Sequence, residues 1–344
     1  MRLLVTGAAG FIGTNFVRQA VGPRSARIAR LVVVDALTYA GNYANLADLE
    51  SDARFRFVKA DIADGAAMAA LVREEGIDTL VNFAAETHVD RSIEDATPFL
   101  RTNVHGTLAL LEAVRGLAGF QSFLHVSTDE VYGTIAQGRA TETSPLHTSS
   151  PYAASKAAAD GFVQAYATTY GVPAAITRCS NNYGPYQFPE KLIPLFVTNA
   201  FAGLPLPVYG DGMQVRDWIH VEDHCDALWH VLELGTRDGT VFNVSAHNEV
   251  PNRDVTAAIL RATGRGPDLV RHVTDRLGHD RRYALDASKL RATGWVPRWT
   301  FADGLAATIA WYRDNGPWWE AVKSGAYRDY YTRMYGDRLR TATP

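Results

Sequence analysis

The sequence predicts an α/β fold: a doubly wound parallel sheet followed by a smaller α/β substrate-binding part. Three observations carry that reading. In the first half, short apolar runs alternate with longer stretches whose apolar residues recur at helical spacing, the pattern of a parallel sheet. A glycine-rich turn joins the first such pair, and after residue 178 the texture changes to Pro, Gly, Asn and aromatics.

The elements follow in order. Leu3 to Thr6 reads as a buried strand and Phe11 to Val21 as the helix after it. Leu31 to Asp35 and Arg54 to Lys59 read as the next strands, then Ala66 to Glu75 as a helix. Thr79 to Ala84, Ser122 to Ser127 and Ala174 to Arg178 are further strands, separated by helical spacing over Gly106 to Leu117 and Tyr152 to Tyr170. Asn181 to Gly212 is expected to be an irregular binding segment rather than more sheet. Asp217 to Leu234 reads as mostly helical and Val241 to Val244 as one more strand of the first sheet. The remainder, with helices near Val255 and Asp303, is expected to form a smaller lid.

Composition excludes several classes of function. A chain of 344 residues, 47% hydrophobic and 21% charged, has the makeup of a soluble globular protein with a substantial core. A formal charge of -3 offers no basic field for nucleic acid or a membrane surface. Cys179 and Cys225 alone give no disulfide framework. Met1 leads straight into the glycine turn, with no secretory region, and no apolar run approaches a membrane span. The cytoplasm is the expected location.

Gly7-Ala-Ala-Gly10-Phe11-Ile12-Gly13 follows a predicted strand and opens a helix. Glycines there allow a tight turn and close backbone approach, and the helix start offers free amides to a pyrophosphate. Asp35, at the end of the second strand, stands where a carboxylate binds ribose hydroxyls and repels a 2′-phosphate. The cofactor expected is NAD rather than NADP. Asp61-Ile62 follows the third strand and is placed to meet the adenine. Phe83-Ala84-Ala85, with Thr87, stands at the mouth of the fourth, where small residues let a dinucleotide lie close.

Tyr152 and Lys156 are four apart on a predicted helix and share one face. An ammonium beside a phenol favours the phenolate, a base able to take a proton from an alcohol. Taken alone the pair is packing plus a solvated charge; with Thr128 and the glycine turn it reads as functional. Asp129-Glu130 adds a second acid/base set that alcohol oxidation does not need, so redox plus elimination is the expected chemistry. Neighbours on a strand face opposite sides, so both carboxyls reach one ligand only if the strand ends near Thr128.

This combination resembles the extended short-chain dehydrogenase/reductase family, with its Rossmann-type fold. Within it the chain is similar to the dTDP-glucose 4,6-dehydratases. The match is carried by Asp35 to Asn42, Ala84 to Ser92, Ser127 to Gly133, Ser180 to Pro194, Arg216 to His224 and Gly278 to Tyr283, and it runs from Met1 to about Arg328. The resemblance implies that Tyr152 removes the sugar C4 hydroxyl proton as hydride passes to NAD, with Lys156 holding the phenolate and the nicotinamide ribose. Thr128 would hydrogen-bond the 4-oxygen, Glu130 take the C5 proton and Asp129 protonate the departing C6 hydroxyl. Adjacency does not assign acid and base between the two carboxyls; the family does. Leu37, Thr38, Thr102 and Asn182 join the cofactor residues on the same ground.

For the sugar nucleotide the family positions are Asn181, Lys191, Leu192, Pro207, Val208, Tyr209, Arg216, Asn252, Asp275, Arg276 and His279, with Thr87. Arg216 and Lys191 suit a diphosphate, since cationic donors match anionic oxygens, and Tyr209 can stack on a base. The expected division gives 1–179 and 216–247 to the cofactor, and 180–215 and 248–344 to the sugar nucleotide. A homodimer through the Gly106 and Tyr152 helices is also implied.

Two other readings stand beside the dehydratase. A sugar-nucleotide 4-epimerase shares Tyr152 and Lys156 but does not require Asp129-Glu130. A non-catalytic NAD-binding sensor has no use for Thr128, Tyr152 and Lys156 together. His220 and His224 have the spacing of a helical metal pair, but no third ligand is evident, and they are read as a helix start. No metal is expected.

Overall fold

The computed structural model describes the chain apart from residues 276, 325, 341, 343 and 344, and apart from the side chains of 326, 328, 330 and 337. The first half runs β1 (Arg2–Thr6), α1 (Phe11–Val21), β2 (Arg30–Asp35), β3 (Phe55–Lys59), α2 (Gly65–Glu74) and β4 (Thr79–Asn82). Two short helices, α3 (Val89–Glu94) and α4 (Thr97–Phe99), lead through a π-helical stretch (Leu100–Gly106) into α5 (Thr107–Val114). Then come β5 (Ser122–Thr128), α6 (Pro151–Tyr170) and β6 (Ala174–Cys179).

These strands and β10 (below) form one seven-stranded sheet in the order β10-β6-β5-β4-β1-β2-β3, every neighbouring pair parallel. The order reverses between β1 and β4, and in such sheets the crevice at the carboxyl ends of the strands beside the reversal receives the ligand. Because successive side chains on a strand face opposite ways, Leu3, Val5, Leu31 and Val33 enter one core layer, with α1 and α8 (below). Leu4, Val32 and Val34 enter the other, with α2, α5 and α6. A strand covered on both faces needs apolar residues throughout, which is why these segments read as unbroken apolar runs.

The second half runs β7 (Asn181–Tyr183), α7 (Leu192–Ala202), β8 (Leu206–Tyr209), β9 (Val215–His220), α8 (Val221–Leu234), β10 (Asp238–Val244), β11 (Glu249–Pro251), α9 (Asn252–Thr263) and β12 (Val270–Val273). It closes with α10 (Ser288–Arg291), α11 (Phe301–Asp314), α12 (Gly316–Val322) and α13 (Ala326–Arg340). β11-β9-β7 make a small sheet and β12-β8 a parallel pair. A third core, including Ile193, Phe196, Val255, Ile259 and Tyr312, holds α7, α9 and α11 together.

Two expectations are corrected here. The stretch Asn181 to Gly212 is not irregular throughout: it holds β7, α7 and β8. Helix α7 is buried on nearly every side, so it shows no polar face, and its Pro194 sits in the first turn, where the missing N–H would have no intrahelical partner. Asp217 to Leu234 is likewise not helical from its start, because residues 217–220 belong to β9, which pairs parallel with β7 and antiparallel with β11. Arg216, Asp217 and His220 on that strand are polar yet buried, which hides a strand pattern. Among the described residues, no helix is long and apolar enough to cross a membrane.

Candidate active site

One continuous cavity of about 720 Å³ opens at the carboxyl ends of the strands, beside the sheet's reversal. Its floor is the turn from β1 into α1. Gly7 has φ +65° and packs so tightly on β4's end that a Cβ would stand 2.6 Å from Ala84 N. A Cβ on Gly13 would strike the Gly7 carbonyl. Gly10 is extended at the start of α1 and no side chain caps that end, so the first amides of the helix remain for an anion.

Asp35 closes β2. It is buried, with Oδ2 accepting from Ala9 N (2.9 Å) and Oδ1 from Leu37 N (2.8 Å). Burial raises its pKa, and the two amides oppose that. Phe11, Ile12, Thr38, Asp61, Ile62, Phe83, Ala84, Ala85 and Thr102 line the same end of the cavity. Asp61 is held by Ala63 N (2.9 Å) and Arg101 (2.7 Å). The Leu37 side chain packs on the core, and its left-handed backbone (φ +53°) aims its amide at Asp35. A glycine cradle that admits no Cβ, uncapped helix amides and a carboxylate at the second strand end fit NAD.

A second wall of the cavity comes from β5 and α6. β5 ends at Thr128, and Asp129–Tyr132 forms a 3-10 turn. The alternation of a strand therefore stops where both carboxyls need to reach one cavity, and Thr128, Asp129 and Glu130 all line it. Thr128 Oγ1 accepts from Glu130 N (3.2 Å) and lies 3.3 Å from Asp129 Oδ1. Asp129 is 3% exposed and its Oδ2 is buried without a hydrogen-bond partner. Burial pushes its pKa well above the carboxylate range, and the charges of Glu130 and Asp217 push the same way.

Ser150 caps α6 through its hydroxyl to Ala153 N (3.1 Å), and Pro151 opens the helix. That fixes Tyr152 one residue inside, with its ring edge-on to Phe99 at 6.3 Å. Burial raises the phenol's pKa well above 10, Glu130's charge adds to this, and the Thr128 hydroxyl opposes it. Lys156, one turn on, donates to Val126 O (2.7 Å) and stands 3.4 Å from His125 Nε2. Burial brings its pKa down to about 8. Both residues face the cavity, but the lysine is held by the strand behind it, a partner that four-residue spacing could not reveal.

The far end of the cavity is built by the second half of the chain. Asn181, Asn182, Lys191, Leu192, Pro207, Val208, Tyr209, Arg216, Asn252 and His279 line it, and Thr87 meets them from the first half. Lys191 Nζ donates to Thr87 O (2.9 Å), bridging the two halves. Arg216 is buried over the Tyr283 ring (4.3 Å) and donates to Val215 O and Asp280 O. The Tyr209 hydroxyl accepts from Arg338 (2.8 Å). Asp275 lies behind the wall, accepting from Gln214 Nε2 (2.8 Å) and pairing with His279, while Arg276 lies outside the described residues. Among the wall residues that sequence reasoning did not single out are Tyr283, and Glu190 with His88, whose side chains stand 3.7 Å apart. Each sits in a motif block, but none has a spacing that signals a site.

His220 and His224 are buried, and burial lowers their pKa values to about 4 and about 3. His220 caps α8 toward Glu222 N, and His224 Nδ1 contacts Asn182 Oδ1 (2.9 Å). Among the described residues there is no cluster of three or more His, Cys, Asp or Glu placed to hold a metal.

The profile of the GDP-mannose 4,6 dehydratase family matches residues 4–308. The chain belongs to that family. It is similar to a dTDP-glucose 4,6-dehydratase of Xanthomonas campestris pv. campestris (strain B100), 53% identical over 94% of this chain and 97% of the relative. The crystal structure of the Streptomyces venezuelae dTDP-glucose 4,6-dehydratase DesIV with NAD and TYD bound is 52% identical, with a TM-score of 0.90 over 94% of this chain and 100% of that one. A Thermus thermophilus UDP-glucose 4-epimerase solved with NAD shares the fold more distantly, at 33% identity and a TM-score of 0.83 over 92% of this chain and 100% of that one.

Proposed function

We propose that this chain is an NAD-dependent hydro-lyase that converts dTDP-glucose to dTDP-4-keto-6-deoxyglucose. The observation that carries it is the turn Thr128-Asp129-Glu130 at the end of β5, in the same cavity as Tyr152 and Lys156, with Asp129 buried and inclined to keep its proton. The Gly7–Gly13 turn and Asp35 would hold NAD, which would supply reversible hydride transfer, out of C4 of the sugar and back at C6.

The chain's residues supply the proton transfers. Tyr152 Oη takes the proton of the C4 hydroxyl, while Thr128 Oγ1 holds the 4-oxygen. Lys156, as ammonium, lowers the cost of the phenolate. Glu130 takes the C5 proton, which a carbonyl at C4 acidifies, and returns it to C5 once hydride has reached C6. Asp129 delivers its proton to the departing C6 hydroxyl, and two neighbouring carboxyls divide acid from base because their surroundings differ. Arg216 and Lys191 receive the diphosphate, and Tyr209 stacks on the base.

Residues 1–179 and 216–247 serve the cofactor; 180–215 and 248–344 serve the sugar nucleotide. The reaction runs in the cytoplasm, in a homodimer joined through α5 and α6. Phe162 and Tyr170, 37% and 50% exposed on α6, support that face as the contact.

Incubating the protein with dTDP-glucose and weighing the product tests the assignment: loss of one water without accumulation of NADH is expected. Steady accumulation of NADH would refute it. Glu130→Gln separates the epimerase reading, since an epimerase would keep most of its activity and a dehydratase would stop before losing water.

A further inference from the structure

Behind Lys156, on the side away from the cavity, runs a buried polar chain that the proton transfers above do not use. Ala84 N donates to Thr6 Oγ1 (3.4 Å), and Thr6 Oγ1 donates to Asn82 Oδ1 (2.6 Å). Asn82 Nδ2 then donates to Thr107 Oγ1 and His125 Nδ1, each at 3.2 Å. An amide NH₂ has only hydrogens to give, so Nδ1 is the accepting nitrogen and a neutral ring carries its hydrogen on Nε2. His125 is 1% exposed, and burial together with the charge of Lys156 keeps it neutral.

Its Nε2 stands 3.4 Å from Lys156 Nζ and 3.7 Å from Asp160 Oδ1. A nitrogen that carries a hydrogen cannot accept one from an ammonium. Lys156 therefore has one acceptor behind it, Val126 O at 2.7 Å, and a donor beside that acceptor. The other ionisable groups around the amine are Asp160 one turn along α6, paired with Arg178 (2.9 Å), Cys179 on β6, and Tyr152 on its own helix.

We propose that His125 is a positioning residue: the chain from Ala84 through Thr6 and Asn82 fixes it as the Nε2–H form, and in that form it sets the proton affinity of Lys156. The ring denies the ammonium a second buried acceptor, so the remaining hydrogens of Nζ turn to the cavity. The first link is the amide of Ala84, against which the Gly7 turn packs, so the lysine's state is tied to the cofactor cradle. This rests on the role given to Lys156 above.

Two measurements test it. In ¹⁵N-histidine-labelled protein the ring resonances of His125, identified by their loss in His125→Gln, are expected to read a neutral Nε2–H ring between about pH 6 and 9. An Nδ1–H ring, or protonation within that range, would overturn the proposal whether or not the protein turns over sugar. Asn82→Leu removes the donor and frees the ring to present a lone pair to the ammonium. The alkaline limb of kcat is then expected to move up by about one pH unit, with KM for dTDP-glucose unchanged. A kcat lowered equally at every pH, with the limb in place, would leave His125 as mere packing.

Discussion

Asp129 shows how little of a residue's chemistry its identity fixes. It and Glu130 are adjacent carboxylic acids, yet burial and two nearby acidic charges raise the pKa of Asp129 well above the usual carboxylate range, with one oxygen left unpartnered in the wall. Asp129→Asn keeps the shape and removes the proton to be given. It is expected to lower kcat by roughly 10²- to 10⁴-fold, the usual reach of general acid catalysis, with a small change in KM; steady-state kinetics on dTDP-glucose would show this. Lys156 supplies a pH prediction. Its folded pKa is depressed to about 8, so the ammonium is present below that value and lost as pH rises through it. Activity should fall above about pH 8, and a rate profile flat to pH 10 would contradict an ammonium role. The four-residue spacing of Tyr152 and Lys156 was legible in the sequence. The contacts of Lys156 with Val126 and His125 were not, because β5 and α6 meet only when the sheet forms.

Among the elements, α8 carries a buried charge problem at its start. His220 and His224 are neutral when folded, with pKa values of about 4 and about 3, against an ordinary 6.5. The unfolded chain binds more protons below 6.5, so the stability tied to these rings is whole above that pH and drains away as pH falls through it. The urea midpoint should therefore drop between about pH 7 and 5. His224→Gln can keep the contact with Asn182 and should flatten that slope. Element boundaries were legible where periodicity was clean, as in α1 and α6. They failed in α7 and β9: α7 is buried on nearly every side, its polar Thr198 and Asn199 included, and β9 carries polar residues whose partners come from distant segments. Asp217 of β9, for example, is satisfied by Ser245 and by Asn248 N (2.9 Å).

For the molecule as a whole, the two helices on one face of the sheet are joined by an aromatic stack. Phe16 of α1 lies 4.4 Å from Trp229 of α8, nearly parallel at 7°, both fully buried. Trp229→Ala should cost about 3–5 kcal/mol in a chemical denaturation series, because the void between α1 and α8 cannot close without moving the glycine turn. Sequence alone determined what is local: the alternation of strands and helices, the Gly7–Gly13 turn, the carboxylate of Asp35, and the shared face of Tyr152 and Lys156. These follow from periodicities and backbone freedoms that act within a few residues. Only the tertiary structure decided that Asp129 is buried among acidic charges, where Lys156 finds its acceptor, and that Lys191 meets Thr87 across the cavity. Ionisation depends on burial and on charges brought from strands far apart in the chain, and nothing short of the folded packing sets those distances.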